Sequence, residues 1–310
     1  MSERVRITDV APRDGLQNEA GVIPTEAKAE LVRRLVASGV DEVEVSSFVS
    51  PKWAPQLGDA AELFAMLAGD KPGGVVYSAL VPNERGMEAA LGVNERAGRR
   101  LVDKIGVFTA ASETFSQRNT NATIAQTLER FRPVVAMAHG AGLRVRGYVS
   151  CVIECPFEGV ISPAAVADVS ARLLELGVDE LDLGGTIGKG TPETVEAMLI
   201  DVMDRTGMTA VDGSGEARLT LHLHDTYGGA GACVSRAVEL GVRSFDGAAG
   251  GLGGCPYASV EGRRAPGNVA TERVVEIVTG MGYETGVDLA ALREAGAYAR
   301  SIAGQAGAGA

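Results

Sequence analysis

The sequence predicts an α/β protein built as one (β/α)8 TIM barrel with a C-terminal helical extension, and three observations carry that reading. Short β-branched runs alternate with longer helical patterns along the whole chain. The runs number eight, the count that closes a barrel rather than an open sheet. Residues able to do chemistry gather just after these runs, where a barrel of this kind places its site. The length of 310 residues suits one such unit.

The strands are expected at 5–10, 42–47, 74–80, 101–108, 143–149, 180–183, 218–224 and 244–247. Between the first two, a helix is expected from Thr25, as its N-cap, to Ala37, with Gly39 as the stop. Another should run from Ile124 to His139, kinked at Pro133, and end at Gly140. Past the last strand, 287–302 repeats apolar residues at helical spacing (Leu289, Leu292, Ala295, Ala299, Ile302), which would cover the barrel or a subunit contact. The barrel is therefore assigned to 1–285 and the extension to 286–310, with 304–310 frayed. No Pro- or Ser-rich linker marks a second domain.

Composition narrows the function. A net charge of -11 and the lack of any long Lys/Arg run exclude a nucleic-acid partner. No apolar run approaches the roughly 18 residues of a membrane span, and no targeting segment is evident. Four cysteines, Cys151, Cys155, Cys233 and Cys255, read as reduced thiols of a cytoplasmic protein. Cys151-x3-Cys155 is loosely like a metal clip, but no second Cys/His pair lies near it in sequence. No Gly-x-Gly-x-x-Gly follows the first strand, which speaks against dinucleotide binding.

The first strand delivers Pro12-Arg-Asp-Gly-Leu-Gln-Asn-Glu19. Asp14 is a hard oxygen ligand for a divalent cation, and Arg13 can grip a carboxylate or neutralise an oxyanion; the bland alternative is an Arg/Asp pair closing a turn. The second strand puts Glu42, Glu44 and Ser46 on one face and Val43, Val45 and Ser47 on the other. Glu44 would orient Arg13 or a ligand, since a bare buried carboxylate is costly. Residues 48–55, with two prolines and the single tryptophan, suit a stiff loop over the site.

Leu219-Thr-Leu-His-Leu-His-Asp-Thr-Tyr-Gly228 places His222 and His224 on one strand face, with the leucines on the other. They read as paired metal ligands at a strand end, or as two structural histidines. After the last strand, Gly250-Gly-Leu-Gly-Gly-Cys-Pro-Tyr-Ala258 must move or bring backbone close to a ligand. Cys255 within it is a proton donor or acceptor, a nucleophile, or a small apolar filler. Asn268 caps the next helix or offers a carbonyl oxygen to a metal.

Taken together, these stretches resemble the 3-hydroxy-3-methylglutaryl-CoA lyase family, part of a metallolyase superfamily of barrels. The matching segments are 12–19, 46–53, Ala111-Ser-Glu-Thr-Phe115, Arg146-Gly-Tyr-Val-Ser-Cys151, Thr186-Ile-Gly188, His222 to Gly228 and Gly251-Leu-Gly-Gly-Cys-Pro-Tyr257, spread over almost the whole chain. The resemblance implies a carbon-carbon lyase that splits 3-hydroxy-3-methylglutaryl-CoA into acetyl-CoA and acetoacetate. By it, Asp14, His222, His224 and Asn268 hold Mg2+ or Mn2+, Arg13 stabilises the enolate, Glu44 supports Arg13, and Cys255 is the mobile-loop acid or base. Gln17, Ser47, Arg146, Tyr148 and Thr186 would line the substrate site. A CoA thioester is the expected partner, and a homodimer the expected assembly. The base that takes the hydroxyl proton is left open between a histidine and Asp14.

Two departures from the family pattern bear on substrate. Gly185 stands where the pattern has an aspartate, as though a carboxylate had gone from the pocket rim; Asp182, where the pattern is small and polar, either replaces it one layer deeper or pairs with a neighbouring cation. Arg263 and Arg264 lie in a longer link and would meet a CoA phosphate or a substrate carboxylate, or form a solvated tip. These departures leave open another hydroxyacyl-CoA lyase or aldolase of the same fold. A condensing synthase, a metal-dependent hydrolase and a non-catalytic barrel are the remaining alternatives.

Overall fold

The computed structural model describes residues 3–208, 218–254 and 267–308. Strands β1 (Arg6–Asp9), β2 (Glu42–Ser47), β3 (Val76–Leu80), β4 (Lys104–Ala110) and β5 (Arg144–Ser150) come first. The two-residue strands β6 (Glu154–Cys155) and β7 (Gly159–Val160) form a small antiparallel hairpin over the top. Then follow β8 (Glu180–Gly185), β9 (Leu219–Leu223) and β10 (Ser244–Gly247). Among the described residues, eight parallel strands close in the order β1-β2-β3-β4-β5-β8-β9-β10 and back to β1, the barrel expected from sequence.

Around it lie α1 (Thr25–Ala37), α2 (Ala60–Met66), α3 (Glu84–Ala97), α4 (Glu113–Thr120), α5 (Ile124–Gly140), α6 (Pro163–Leu176), α7 (Pro192–Thr206), α8 (Ala230–Glu239), α9 (Thr271–Gly280) and α10 (Leu289–Ala308). Local signals set the ends. Thr123 and Gln126 close a capping box at the start of α5, and Gly177 stops α6 in the left-handed region. Pro133 lies inside α5, which continues to Gly140.

Two expectations are corrected here. Thr25 does not cap α1, because Pro24 holds that position and the Thr25 hydroxyl instead donates to Asp59 at 2.8 Å. The C-terminal helix does not fray at Gly304 but runs to Ala308. Its apolar residues Leu292, Ala295 and Ala299 are fully buried, and the helix packs on α1, α9 and the turn after β10. That face is covered within one chain, so it offers no argument for a dimer.

Outward-facing valines and leucines of the strands, such as Val43, Val45, Leu181, Leu183, Leu219 and Leu221, meet the helices in a fully buried layer. The inward-facing residues are mostly polar. In the lower lumen, Lys104 Nζ donates to Glu42 and Glu180 at 2.7 Å each, and Arg146 donates to the same two carboxylates. All four side chains are buried, and their mutual pairing is what makes charge tolerable there. This network is a rigid plug below the strand ends that carry the site.

Candidate active site

The site is assembled at the C-terminal mouth of the barrel, around a cavity of about 430 Å3. After β1 the chain makes one turn of π-helix, Ala11–Gly15, that aims Arg13 and Asp14 across the mouth. The turn is held by Asp9, which accepts from Ala11 N at 2.8 Å, Ala249 N at 3.0 Å and the Thr271 hydroxyl at 2.7 Å. Burial nonetheless outweighs those donors and pushes Asp9 up to about 7. One carboxyl thus ties the Arg13 turn to the glycine-rich segment after β10. Sequence reasoning missed it, although an aspartate inside an otherwise apolar strand end was a signal.

Arg13 is 8% exposed and spreads its fork over two carboxylates, Nε to Glu44 at 2.5 Å and Nη1 to Asp14 at 2.6 Å. Tyr148 donates its hydroxyl to the other Glu44 oxygen at 3.1 Å. Gly106 on the adjoining strand makes room for that ring, since a Cβ there would stand 2.7 Å from Tyr148 Cε2. Burial alone would raise Asp14, but Arg13 and the two histidines hold it well below the usual carboxylate range. It is anionic at any working pH.

His222 and His224 project from the end of β9, their Nε2 atoms 3.2 Å apart. Asp246, opposite His222 in the β9–β10 register, accepts from His222 Nδ1 at 2.8 Å. That contact orients the ring and, in the neutral imidazole, leaves the Nε2 lone pair for the cavity. Burial lowers both histidines, yet Asp246 carries His222 up to about 9, while the neighbouring His222 charge leaves His224 at about 4. Asp246 is the second residue that sequence reasoning overlooked; its inward alternation with Ser244 on a strand beside the histidine strand pointed to it.

Donor atoms of Asp14, His222 and His224 all lie within 4.8 Å of one another, and among the described residues no other His/Cys/Asp/Glu group does so. Asn268 stands beside the cluster: its Nδ2 donates to Asp14 at 2.7 Å and to the Leu252 carbonyl at 3.1 Å, while its buried Oδ1 has no hydrogen-bond partner among the described residues. A buried acceptor beside an anionic carboxylate and two imidazoles is a set of groups that could hold a divalent cation. Adjacent ligands of one cation sit about 3 Å apart, given bonds of about 2.1 Å. Gly253, at φ +95°, lets the backbone pass here, since a Cβ would lie 2.7 Å from Asn268 Nδ2.

Gln17, Ser47, Tyr148 and Thr186 line the cavity. Ser47 does so because the β2–β3 register shifts between Glu44 and Ser46, turning Ser47 inward against the simple alternation expected from sequence. Arg146 is a correction. It lies beneath the cavity floor, held by Glu42 and Glu180, and is not in the wall. Trp53, 81% exposed, stands at the mouth on the loop expected there. Cys151 and Cys155 do not form a clip with a second pair among the described residues; Cys155 instead accepts from the Ser112 hydroxyl at 3.1 Å and Phe157 N at 3.3 Å. Cys255, Arg263 and Arg264 lie outside the described residues.

Gly185 is the other correction. Asp182, Gly184 and Thr186 line the cavity, but Gly185 does not, and a Cβ there would meet Leu223 Cδ2 at 3.1 Å in the apolar layer. Gly185 itself therefore does not face the cavity, whereas Asp182 does. Gly185→Asp is expected to leave KM for a CoA ester within about twofold while destabilising the fold by about 1–3 kcal/mol through carboxylate burial. Paired kinetics and urea unfolding check both halves.

A profile of the HMGL-like family matches residues 4–298. The chain is 44% identical over 296 residues to mitochondrial hydroxymethylglutaryl-CoA lyase of Bos taurus, covering 96% of this chain and 85% of that one. It is 45% identical to hydroxymethylglutaryl-CoA lyase of Pseudomonas mevalonii, covering 95% and 91%. The HMG-CoA lyase structure from Brucella melitensis superposes with a TM-score of 0.87 at 46% identity, over 98% and 100% of the two chains. An HMG-CoA lyase from Acinetobacter baumannii, solved with coenzyme A and 3-methylmalate, gives 0.84 at 33% identity over 97% and 92%. With barrel, donor cluster and sequence in agreement over nearly its full length, the chain belongs to the HMGL-like family.

Proposed function

We propose that the chain is a carbon-carbon lyase that converts 3-hydroxy-3-methylglutaryl-CoA to acetyl-CoA and acetoacetate with Mg2+ or Mn2+ held by Asp14, His222, His224 and Asn268. The observation that carries this reading is the placing of Arg13, a permanent cation, against that donor cluster. A hydrolase would use the cluster but has no evident need for Arg13 within it. The names of the relatives support the same substrate.

Cleavage removes the proton of the tertiary hydroxyl, breaks the C2–C3 bond and leaves its electron pair on the thioester as an enolate, which then takes a proton at C2. Held by those four residues, a divalent cation would supply Lewis acidity to the substrate hydroxyl. Arg13 offers its guanidinium to the developing enolate oxygen, and Glu44 fixes the angle of that fork. Ionised Asp14 and neutral His224 are the proton acceptors beside the hydroxyl. Cys255 follows Gly254, which lines the cavity, and is our candidate for returning the proton to C2.

The same reading places the enzyme in the cytoplasm, in keeping with four cysteines read as reduced thiols. Among the described residues no helix is long and apolar enough to cross a membrane. Incubating the purified protein with Mg2+ and a panel of hydroxyacyl-CoA esters tests the activity. Release of acetyl-CoA with acetoacetate is expected from the glutaryl ester; free CoA would indicate a hydrolase, and no turnover a non-catalytic barrel.

A further inference from the structure

One strand-end carboxyl is unused by the chemistry above. Asp9 shares a strand face with the core residue Ile7, and it meets the first residue of α9 rather than the cavity. One of its oxygens accepts from Ala11 N, and the other accepts from both Ala249 N and the Thr271 hydroxyl. The neighbouring strands set Val43 and Gly247 beside it in register, neither of them charged. From α9 the charged side chain that faces it is Glu272, which itself accepts from Gly250 N at 3.0 Å and faces Arg300 of α10.

The bonds to Asp9 join two stretches that interlock above it. A Cβ on Gly15 would stand 3.1 Å from Leu252 Cβ, and one on Gly253 would stand 3.2 Å from the Asp14 carbonyl and 3.3 Å from Gly15 Cα. Asn18 Nδ2 adds a bond to the Gly254 carbonyl at 3.3 Å. The turn at 11–15 and residues 248–254 therefore pack as one body, with Asp9 as their shared acceptor on the barrel side. That body carries Arg13 at one edge. At the other it carries Gly254, which lines the cavity and precedes Cys255 in sequence. Removing the carboxylate takes an acceptor from the amides of Ala11 and Ala249, both fully buried residues, and so loosens the joint.

Resting on the lyase reading, we propose that Asp9 is a positioning residue for the reaction: its carboxylate latches the Arg13 turn to residues 248–254, so that the cation meeting the enolate and the segment leading to Cys255 keep a fixed separation. Opening the latch slows turnover and leaves the cation site in place, because Asp14 is held separately by Arg13 and Asn268. Only the ionised carboxylate accepts all three donors; a protonated one turns an O–H toward groups that are themselves donors. Burial pushes Asp9 up to about 7, so the latch opens by protonation near neutral pH. Stability runs the other way. With the folded value above the ordinary 3.8, ionising Asp9 costs the fold stability progressively between pH 3.8 and about 7. A carboxylate kept there against stability is accounted for by turnover.

The test is the pH profile of kcat for 3-hydroxy-3-methylglutaryl-CoA from pH 5.5 to 9, at saturating Mn2+, in the wild type, Asp9→Asn and Thr271→Val. Wild-type kcat is expected to fall about tenfold per pH unit below pH 7 and to level off at the rate of Asp9→Asn. Asp9→Asn should be about 30-fold slower at pH 8 and flat across the acid range, with KM and Mn2+ affinity within about threefold of wild type. Thr271→Val removes a donor that lowers Asp9, so its acid limb should move up by about one pH unit. An acid limb that survives in Asp9→Asn, a wild type with no such limb, or a loss of Mn2+ affinity as large as the loss of kcat would overturn the proposal. If Asp9→Asn does not fold, Thr271→Val decides, and an unmoved limb there refutes the latch. A wild type that cleaves no CoA ester at any pH overturns the lyase reading itself, a result distinct from all of these.

Discussion

Arg13→Gln is expected to lower kcat/KM about 1,000-fold, equivalent to about 4 kcal/mol of transition-state stabilisation, with the larger part in kcat. The guanidinium is buried, permanently charged and fixed by Glu44 on one side and Asp14 on the other. It pays no reorganisation cost when enolate charge appears beside it. Cation affinity should not fall in this variant, because a positive neighbour of Asp14 has been removed. Arg13→Lys should recover less than tenfold of the loss, since one ammonium cannot reproduce the Nε and Nη1 contacts of a planar fork. Steady-state kinetics with a parallel Mn2+ titration separates the two effects. A variant that lost metal binding and activity together would contradict the role assigned to Arg13.

Metal binding is expected to release close to one proton at pH 7 and to tighten about tenfold per pH unit between pH 6.5 and 8.5. The reason is His222, carried up to about 9 by Asp246, whose Nε2 must lose its proton before it can serve a cation. His224, at about 4, is already neutral across this range and adds no slope. Asp246→Asn should flatten the slope, because the charge that raised His222 is gone. It should also weaken the intrinsic affinity by 10- to 100-fold, because the ring loses its orienting partner. Calorimetry in two buffers of different ionisation enthalpy reads the proton count directly. The linkage has a counterpart in stability. A pKa raised above 6.5 stabilises the metal-free fold fully below that value, and the benefit fades as pH climbs through about 9.

The barrel and the meeting of Asp14, His222 and His224 were legible in the sequence for a physical reason. Strand alternation carried His222 and His224 to one face, and the turn after β1 could present Asp14 in only one direction, into the mouth. Position along a strand was less informative where alternation breaks. The bulge between Glu44 and Ser46 turned Ser47 into the cavity, and nothing in Glu42-Val-Glu-Val-Ser-Ser47 announces it. Gly185 and Arg146 were misread because a motif names residues without saying which way they face or how deep they lie. Gly185 points into the apolar layer, and Arg146 belongs to a lower level of the lumen, with Lys104, Glu42 and Glu180. Asp9 and Asp246 escaped notice because their partners, Thr271 and His222, are 262 and 24 residues away and adjacent only once the barrel closes.

Pulsed EPR of the Mn2+-loaded protein puts the cation site to the most direct test, and it needs no turnover. Two histidine nitrogen couplings are expected in the wild type, one in either His222→Ala or His224→Ala, and two with weaker binding in Asn268→Ala. Mn2+ bound without any nitrogen coupling would contradict the site and the chemistry built on it.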